Sequence, residues 1–336
     1  MAPLVEVKDL RVVFELGAGL LAPKRKLIAV NDVSFQIGYG EILAIVGESG
    51  SGKSTIARAL MRLVNVASGS IRFDGDDMLT MRGKALRRIR PKMQMVFQDP
   101  YSSLDPSKRV VDIVGEPLAV HHHLGGRQMV NRVEQLLEKV GLGYEHLNRY
   151  PHEFSGGQRQ RIAIARAISL QPKLLVLDEA VSALDVSTQN QILNLLQDLR
   201  QEHGMAYLFI SHDLGVVQHI ADRVAVTYLG RIVETGPAAT IFDSFAHPYT
   251  EALLSAVPVP NPDVQQSRKR QPLQGDIPSP LAPPAGCPFH TRCPYAMEIC
   301  SERMAETVVV QGGGTVACHL QTTGRTLAGS PLTGHC

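Results

Sequence analysis

Eight consecutive residues, Gly47-Glu48-Ser49-Gly50-Ser51-Gly52-Lys53-Ser54, constrain this chain more tightly than any other stretch. The apolar run Ile42-Leu43-Ala44-Ile45-Val46 precedes them, and Thr55 then Ile56, Leu60 and Leu63 follow, the last three at helical spacing. Strand, glycine-rich turn and helix in that order make a phosphate cradle. Glycines let backbone N–H groups converge on phosphate oxygens without Cβ clashes. The helix N-terminus adds unsatisfied donors and a dipole worth about 0.3–1 kcal/mol per anion at exposed sites. Lys53 is placed to neutralise β- and γ-phosphates, and Ser54 to ligate Mg²⁺. Residues 47–55 are therefore the expected nucleotide-binding set.

Further apolar runs, Leu174–Leu177, Ala206–Ile210 and Val224–Val226, suit strands buried on both faces of a mainly parallel sheet. Helical periodicity alternates with them, as at Ile192, Leu195, Leu196 and Leu199, so the core is expected to be α/β. Residues 4–14 and 28–37 alternate apolar with polar positions and read as an antiparallel β layer, joined by a basic loop from Gly17 to Lys26. Residues 99–170 read as a mostly helical insertion, and helical pattern returns over 237–256. Eight prolines between Pro258 and Pro284 mark an extended linker over 257–285, followed by an extension over 286–336 whose final dozen residues are expected to be poorly ordered.

Bulk properties narrow the function. A hydrophobic fraction of 44% with 20% charged residues fits a core-forming globular protein. Lys plus Arg number 34 against 32 Asp plus Glu, which argues against a general polyanion binder, so no nucleic-acid partner is expected. Met1-Ala2-Pro3-Leu4-Val5-Glu6 carries no basic stretch before an apolar one, so no secretory signal is expected there. No run of 18 or more apolar residues occurs, so any membrane role is expected to come through partners. His121-His122-His123 reads as a solvated loop, and Arg87, Arg88 and Arg90 as a basic helix face.

Asp178 and Glu179 end the run Leu174–Leu177, and a carboxylate at the C-terminal edge of a parallel strand sits beside the phosphate site. Asp178 is expected to hold Mg²⁺ through its water shell, and Glu179 to polarise an attacking water. Downstream or between lie Gln98-Asp99-Pro100, Phe154-Ser155-Gly156-Gly157-Gln158, Ser182-Ala183-Leu184-Asp185 and Ser211-His212-Asp213. In this order the motifs resemble the ATPase subunit of an ABC transporter, over residues 4–256. The resemblance implies a P-loop NTPase core with an antiparallel β layer and a helical subdomain at about 99–170 that touches membrane partners. It makes Gln98 a Mg²⁺ or water ligand that senses nucleotide state, His212 a γ-phosphate contact, and Asp185 part of a dimer-interface loop. Phe14 stands near the place where the family stacks a ring on adenine. Ser155, Gly156, Gly157 and Gln158 form the signature that grips a nucleotide bound to the partner subunit, so one chain does not complete its own site.

Cysteines are absent before position 287 and then occur at 287, 293, 300, 318 and 336. The spacing C-x5-C-x6-C-x17-C of the first four leaves zinc, an iron–sulfur cluster, disulfides or free thiols open. Zinc sites prefer tighter pairs, clusters tolerate looser ones, and a reducing compartment disfavours disulfides. Tyr150-Pro151-His152-Glu153-Phe154, Gln98–Pro106 and the tail from Gly286 to Pro294, with Ala317-Cys318-His319-Leu320, are similar to ATPases of bacterial oligopeptide and dipeptide importers. That narrower resemblance implies a [4Fe–4S] cluster on Cys287, Cys293, Cys300 and Cys318, with zinc as alternative and Cys336 as a spare thiol. It also implies a second related ATPase, two membrane permeases, an external substrate-binding protein, and a peripheral place on the cytoplasmic face of the bacterial inner membrane. Importers of nickel, glutathione or antimicrobial peptides have ATPases of nearly the same sequence, because the motifs read ATP rather than cargo. Soluble ABC ATPases of repair or translation carry a coiled-coil insertion or a second cassette, and this chain has neither. A redox or iron sensor scaffolded on an ATPase is the third expectation the tail leaves standing.

Overall fold

The computed structural model describes residues 2–17, 25–257, 273, 275–310 and 312–322. Cys336, the last dozen residues and the linker prolines Pro258, Pro260, Pro262 and Pro272 lie outside them. In chain order, strands β1 (Val5–Leu16), β2 (Arg25–Ile37) and β3 (Ile42–Val46) precede helix α1 (Lys53–Leu60). Then come β4 (Ser68–Phe73), β5 (Asp76–Asp77), α2 (Gly83–Ile89) and β6 (Met93–Val96). Helices α3 (Pro100–Ser103), α4 (Val110–His122), α5 (Gly126–Lys139) and α6 (Gly156–Ile168) follow with no strand between them. Next are β7 (Leu174–Asp178), α7 (Val186–His203), β8 (Ala206–Ser211), α8 (Leu214–Ile220), β9 (Arg223–Tyr228) and β10 (Arg231–Pro237). The chain ends through α9 (Ala238–Asp243), α10 (Pro248–Ser255), α11 (Glu298–Glu302), β11 (Val308–Val310), β12 (Gly314–Val316) and α12 (His319–Thr322).

These elements form two compact units interleaved in sequence. The first is built mainly from Phe73–Ile210 with Ile37–Ile42. Its strands β6, β7 and β8 are parallel neighbours, with Met93 opposite Leu174 and Leu174 opposite Ala206. All of Leu174–Asp178 is buried, which is why that segment reads as a continuous apolar run rather than an alternating one. Helices α3, α4 and α5 pack on α6, which also touches β6 and α7. Asp74 collects Lys173 at 2.7 Å, Lys92 at 3.4 Å and the Tyr39 hydroxyl at 2.7 Å, and Lys173 above all holds its carboxyl down at about 2.

The second unit takes Glu6–Gln36, Leu43–Arg72 and the described chain from Ser211 onward. One of its layers has β1 between β2 and β4. The basic loop expected up to Lys26 stops sooner, because Arg25 and Lys26 already open β2. The other layer pairs β3 with β9 in parallel and β9 with β10 antiparallel. The cysteine-bearing extension does not stand apart as a separate small unit. Its strand β12 adds to β10, with Glu234 opposite Val316, and β11 closes on β12 around Gly312 and Gly313 at positive φ. The expected helix over 237–256 is two short ones, broken before His247. In the first unit, His121 and His122 finish α4 rather than forming a loop, and His123 caps it in the left-handed region.

A buried polar knot holds the break before α10. The Glu234 carboxylate accepts from the Ala246 amide at 2.6 Å, the His247 amide at 3.1 Å and the Thr250 hydroxyl. His247 is 1% exposed, its Nδ1 accepts from the Tyr249 amide at 3.0 Å, and its Nε2 has no partner among the described residues. Burial lowers its pKa from 6.5 to about 3. The unfolded chain therefore takes up this proton first as the pH falls below 6.5, and stability drops from there towards pH 3 at about 1.4 kcal/mol per pH unit. His247→Asn keeps a capping acceptor but cannot titrate. Urea unfolding of parent and variant at several pH values between 7 and 5 is expected to show a shallower acid-side decline in the variant; parallel curves would contradict the assignment.

Candidate functional site

In the second unit, the phosphate loop runs from buried β3 to α1, and its glycines are required for different reasons. Gly47 has φ +150°, and a Cβ there would lie 2.2 Å from the Thr227 carbonyl oxygen. Gly52 has φ +97°, and a Cβ would lie 2.4 Å from the Ala29 carbonyl. At Gly50, φ is +78° but the space is open. Neighbouring strands thus grip the loop by its ends and leave Ser49 and Gly50 exposed at its crown. The Ser51 hydroxyl lies 3.1 Å from Thr227 Oγ1, which donates to the Val46 carbonyl at 2.8 Å, and the Gly230 amide donates to the Ser51 carbonyl at 2.9 Å.

Lys53 is 4% exposed, and its Nζ donates to the carbonyls of Gly47 at 2.8 Å and Glu48 at 2.9 Å. A buried ammonium needs oxygens around it. The loop supplies two of them, which holds the charge at the mouth of the cradle. Ser54 and Thr55 follow in the first turn of α1, half-buried. His212 is exposed just beyond β8; Asp213 caps α8 by accepting from the amides of Gly215 and Val216. Phe14 is half-buried in β1 and lines a groove with Val13, Glu15 and Arg62 to Asn65. Those last residues follow the C-terminal end of α1, and no phosphate-loop residue lines that groove.

The first unit carries the carboxylates. Asp178 is 1% exposed at the end of β7. Glu179 departs from the strand with φ +49°, a conformation uncommon for a residue with a side chain. Its amide donates to the Ile210 carbonyl at 3.0 Å, and its carbonyl accepts from the amide and hydroxyl of Ser182. Gln98 Nε2 donates to Glu179 Oε2 at 2.9 Å. Two residues 81 positions apart are thereby brought together at the C-terminal edges of neighbouring parallel strands.

Ser155 caps α6: its Oγ accepts from the Gln158 amide at 3.3 Å, while Gln158 Oε1 accepts from the Ser155 amide at 3.1 Å. This reciprocal box explains why serine and glutamine stand at that spacing. Gly157 leaves no room for a side chain, since a Cβ would lie 2.3 Å from Thr188 Cγ2. Thr188 is itself tied to Asp185, whose carboxylate accepts from its amide and hydroxyl at 2.9 Å each and from the Ser187 hydroxyl at 2.7 Å. The Thr188 amide bond leads the contacts that hold the Asp185 pKa at about 2. The capping and packing roles of Gln158, Gly157 and Asp185 were not visible in the motif pattern.

The four described cysteines are free thiols, Cys287 and Cys300 buried, Cys293 and Cys318 half-buried. Burial pushes Cys293 and Cys318 up to about 12, and Cys318 feels Cys287, Cys293 and Cys300 together. Their sulfurs are met by backbone amides: Phe289 and His290 at Cys287, Tyr295 at Cys293, Leu320 at Cys318. Amides aimed at sulfur stabilise thiolates. In donor chemistry the quartet fits a metal centre that prefers thiolate. As they stand, no three His, Cys, Asp or Glu side chains among the described residues are arranged to hold a metal ion. No helix among the described residues is long and apolar enough to cross a membrane.

Comparison with known proteins adds identity to this geometry. Residues 30–182 match the ABC transporter family, and residues 233–300 match the oligopeptide/dipeptide transporter C-terminal region. The "Probable peptide ABC transporter ATP-binding protein y4tS" of Sinorhizobium fredii is 51% identical over 95% of this chain and 90% of its own. The oligopeptide transport ATP-binding protein OppF of Salmonella typhimurium is 49% identical over 89% and 91% respectively. Among solved structures, the dimeric post-hydrolysis state of the ATP-binding cassette MJ0796, bound to ADP and Pi, superposes with a TM-score of 0.63 at 28% identity. It covers 70% of this chain and 98% of that one.

The glycine contacts generate a direct test. Gly47→Ala drives a methyl into a backbone carbonyl and is expected to destabilise the chain by more than about 3 kcal/mol, whereas Gly50→Ala meets only the positive-φ penalty, about 1 kcal/mol. Urea denaturation of both variants checks this ranking; equal losses would contradict it.

Proposed function

Because the chain belongs to the ATP-binding subunits of ABC transporters, in their oligopeptide/dipeptide branch, we propose that it couples ATP hydrolysis to the import of di- or oligopeptides. The observation that carries the reading is Glu179, turned out of β7 by its positive φ and held by Gln98. A carboxylate in that position is suited to take a proton from an attacking water, and Gln98 orients it. Lys53 and the loop amides neutralise the phosphates, Ser54 and Asp178 serve Mg²⁺, and His212 contacts the γ-phosphate. ATP and Mg²⁺ fit the family, and Mg²⁺ would supply charge neutralisation at the transferred phosphate.

The chain acts in a pair with a second, related ATPase beneath two membrane permeases, on the inner face of the cell membrane, with a binding protein delivering peptide from outside. In that pair Ser155, Gly156 and Gly157 reach the nucleotide of the partner, so ATP binding favours the closed state and hydrolysis the open one. Phe14 is the candidate for stacking on adenine. The capped start of α6 supports the signature role, because its serine and glycines sit at a rigid helix N-terminus. Cys287, Cys293, Cys300 and Cys318 are assigned to an iron–sulfur cluster in preference to zinc. Backbone amides at the Cys287, Cys293 and Cys318 sulfurs and the mutual electrostatic influence of the four thiols support thiolate ligation, and a bound cation would offset the burial that otherwise holds these thiols protonated. Anaerobic purification followed by iron and zinc analysis decides between the metals.

Glu179→Gln is expected to retain ATP binding and lower turnover by at least about a hundredfold, and Lys53→Ala to weaken binding itself. Steady-state hydrolysis in the assembled importer, beside nucleotide titrations of the isolated chain, checks both. Parent-rate hydrolysis by Glu179→Gln would remove the assigned base.

A further inference from the structure

Arg292 lies between Cys287 and Cys293, yet its side chain closes on the phosphate loop. Nη1 and Nη2 donate to Oε2 and Oε1 of Glu48 at 2.7 and 3.1 Å, a two-pronged ion pair. The Arg292 side chain is 5% exposed and that of Glu48 24%, so salt screens the pair weakly. Glu48 is held from its other side as well, for its amide donates to the Tyr249 hydroxyl at 2.9 Å. The Tyr228 hydroxyl accepts from Arg292 Nη1 at 3.4 Å, and Phe289 packs against Tyr228 and Tyr249 with centroids 5.2 and 5.3 Å away.

Glu48 in turn shapes the part of the loop that meets phosphate. Its carbonyl accepts from Lys53 Nζ and from the Ser51 amide at 3.2 Å. A shift of Glu48 therefore moves both the ammonium and the turn below it. The other end of the linkage is anchored among the cysteines. Cys287 donates its amide to the Cys300 carbonyl at 2.8 Å, His290 donates to the Cys287 carbonyl at 3.0 Å, and Arg292 donates to the Phe289 carbonyl at 2.9 Å. Gly286 permits this closure, since a Cβ there would lie 2.3 Å from the Cys300 carbonyl oxygen.

We propose that Arg292 is a positioning residue for nucleotide binding, through which the cysteine-bearing segment sets the shape of the phosphate loop by way of Glu48. This rests on nucleotide binding at that loop and extends it to a residue outside every nucleotide motif. A staple that merely fastens the extension would change melting temperature and leave nucleotide affinity alone. A positioning residue changes affinity.

The test uses the full chain, with Arg292→Gln, Arg292→Lys, Glu48→Gln and the double variant Arg292→Gln/Glu48→Gln. Dissociation constants for a fluorescent ATP analogue are measured on the chain, and KM and kcat for ATP in the assembled importer. Arg292→Gln is expected to raise the dissociation constant and KM by about five- to tenfold, with kcat within about twofold. Arg292→Lys recovers part of the loss, because it keeps the charge but not the fork. The double variant is no weaker than the worse single one, as a shared interaction requires. Glu48→Gln reaches the same contact without altering the cysteine segment, so poor folding of the Arg292 variants leaves the proposal testable. Unchanged affinity in Glu48→Gln and Arg292→Gln, with or without a lower melting temperature, overturns the proposal, as do losses that multiply in the double variant. Lys53→Ala separates the two layers. If it binds nucleotide like the parent, the nucleotide reading falls and this inference with it; if it fails to bind while Arg292 variants bind normally, only this inference falls.

Discussion

A phosphate cradle must keep several backbone N–H groups pointed into one small space whether or not a ligand is there. That arrangement is electrostatically unfavourable when empty, so the surrounding fold has to impose it. Here the imposition comes from close backbone approach: Gly47 against the Thr227 carbonyl, Gly52 against Ala29, and the Gly230 amide on the Ser51 carbonyl. Strands β2, β9 and the turn into β10 set those contacts, and β9 is fixed in register by β3 and β10. Much of the second unit can be understood as the frame that keeps eight residues in a shape they would not hold alone.

The first unit solves a different problem, presenting one carboxylate outside a strand whose other residues are fully buried. Glu179 achieves this through a positive φ, and the hydrogen bonds to Ile210 and Ser182 offset the strain. Nearby, α6 and α7 approach so closely that only glycine fits at position 157. The Asp185 cap fixes Thr188 in that contact. The start of α6 and the Asp185 turn are consequently packed into a single piece, which suits the partner-facing role proposed for both.

The α/β class, the strands read at 42–46, 174–177 and 206–210 and the phosphate loop were legible in the sequence because each is a local pattern: an apolar run, a glycine spacing, a helical period. What was not legible arises between distant positions. Glu48 and Arg292 are 244 residues apart, and nothing in either neighbourhood announces the ion pair. Strand β12 escaped because Gly314-Thr315-Val316 is too short to show a period, and it is held by β10 rather than by its own propensity. The basic stretch after Gly17 read as loop through Lys26 because charge suggested solvent, although an edge of a strand tolerates Arg25 and Lys26 equally well. Gln158 is the instructive case, since one side chain serves a recognisable motif and also caps its own helix.

In the proposed pair, the phosphate loop of this chain and its Ser155-Gly156-Gly157 signature serve two different nucleotides. The most direct measurement places Ser155→Arg in this chain alone, then compares ATP-analogue affinity of the isolated chain with hydrolysis by the assembled pair of ATPases. Parent-like affinity in isolation and loss of hydrolysis at the partner's phosphate loop are expected. Affinity that falls in the isolated chain, with hydrolysis at the partner's site intact, would contradict that arrangement.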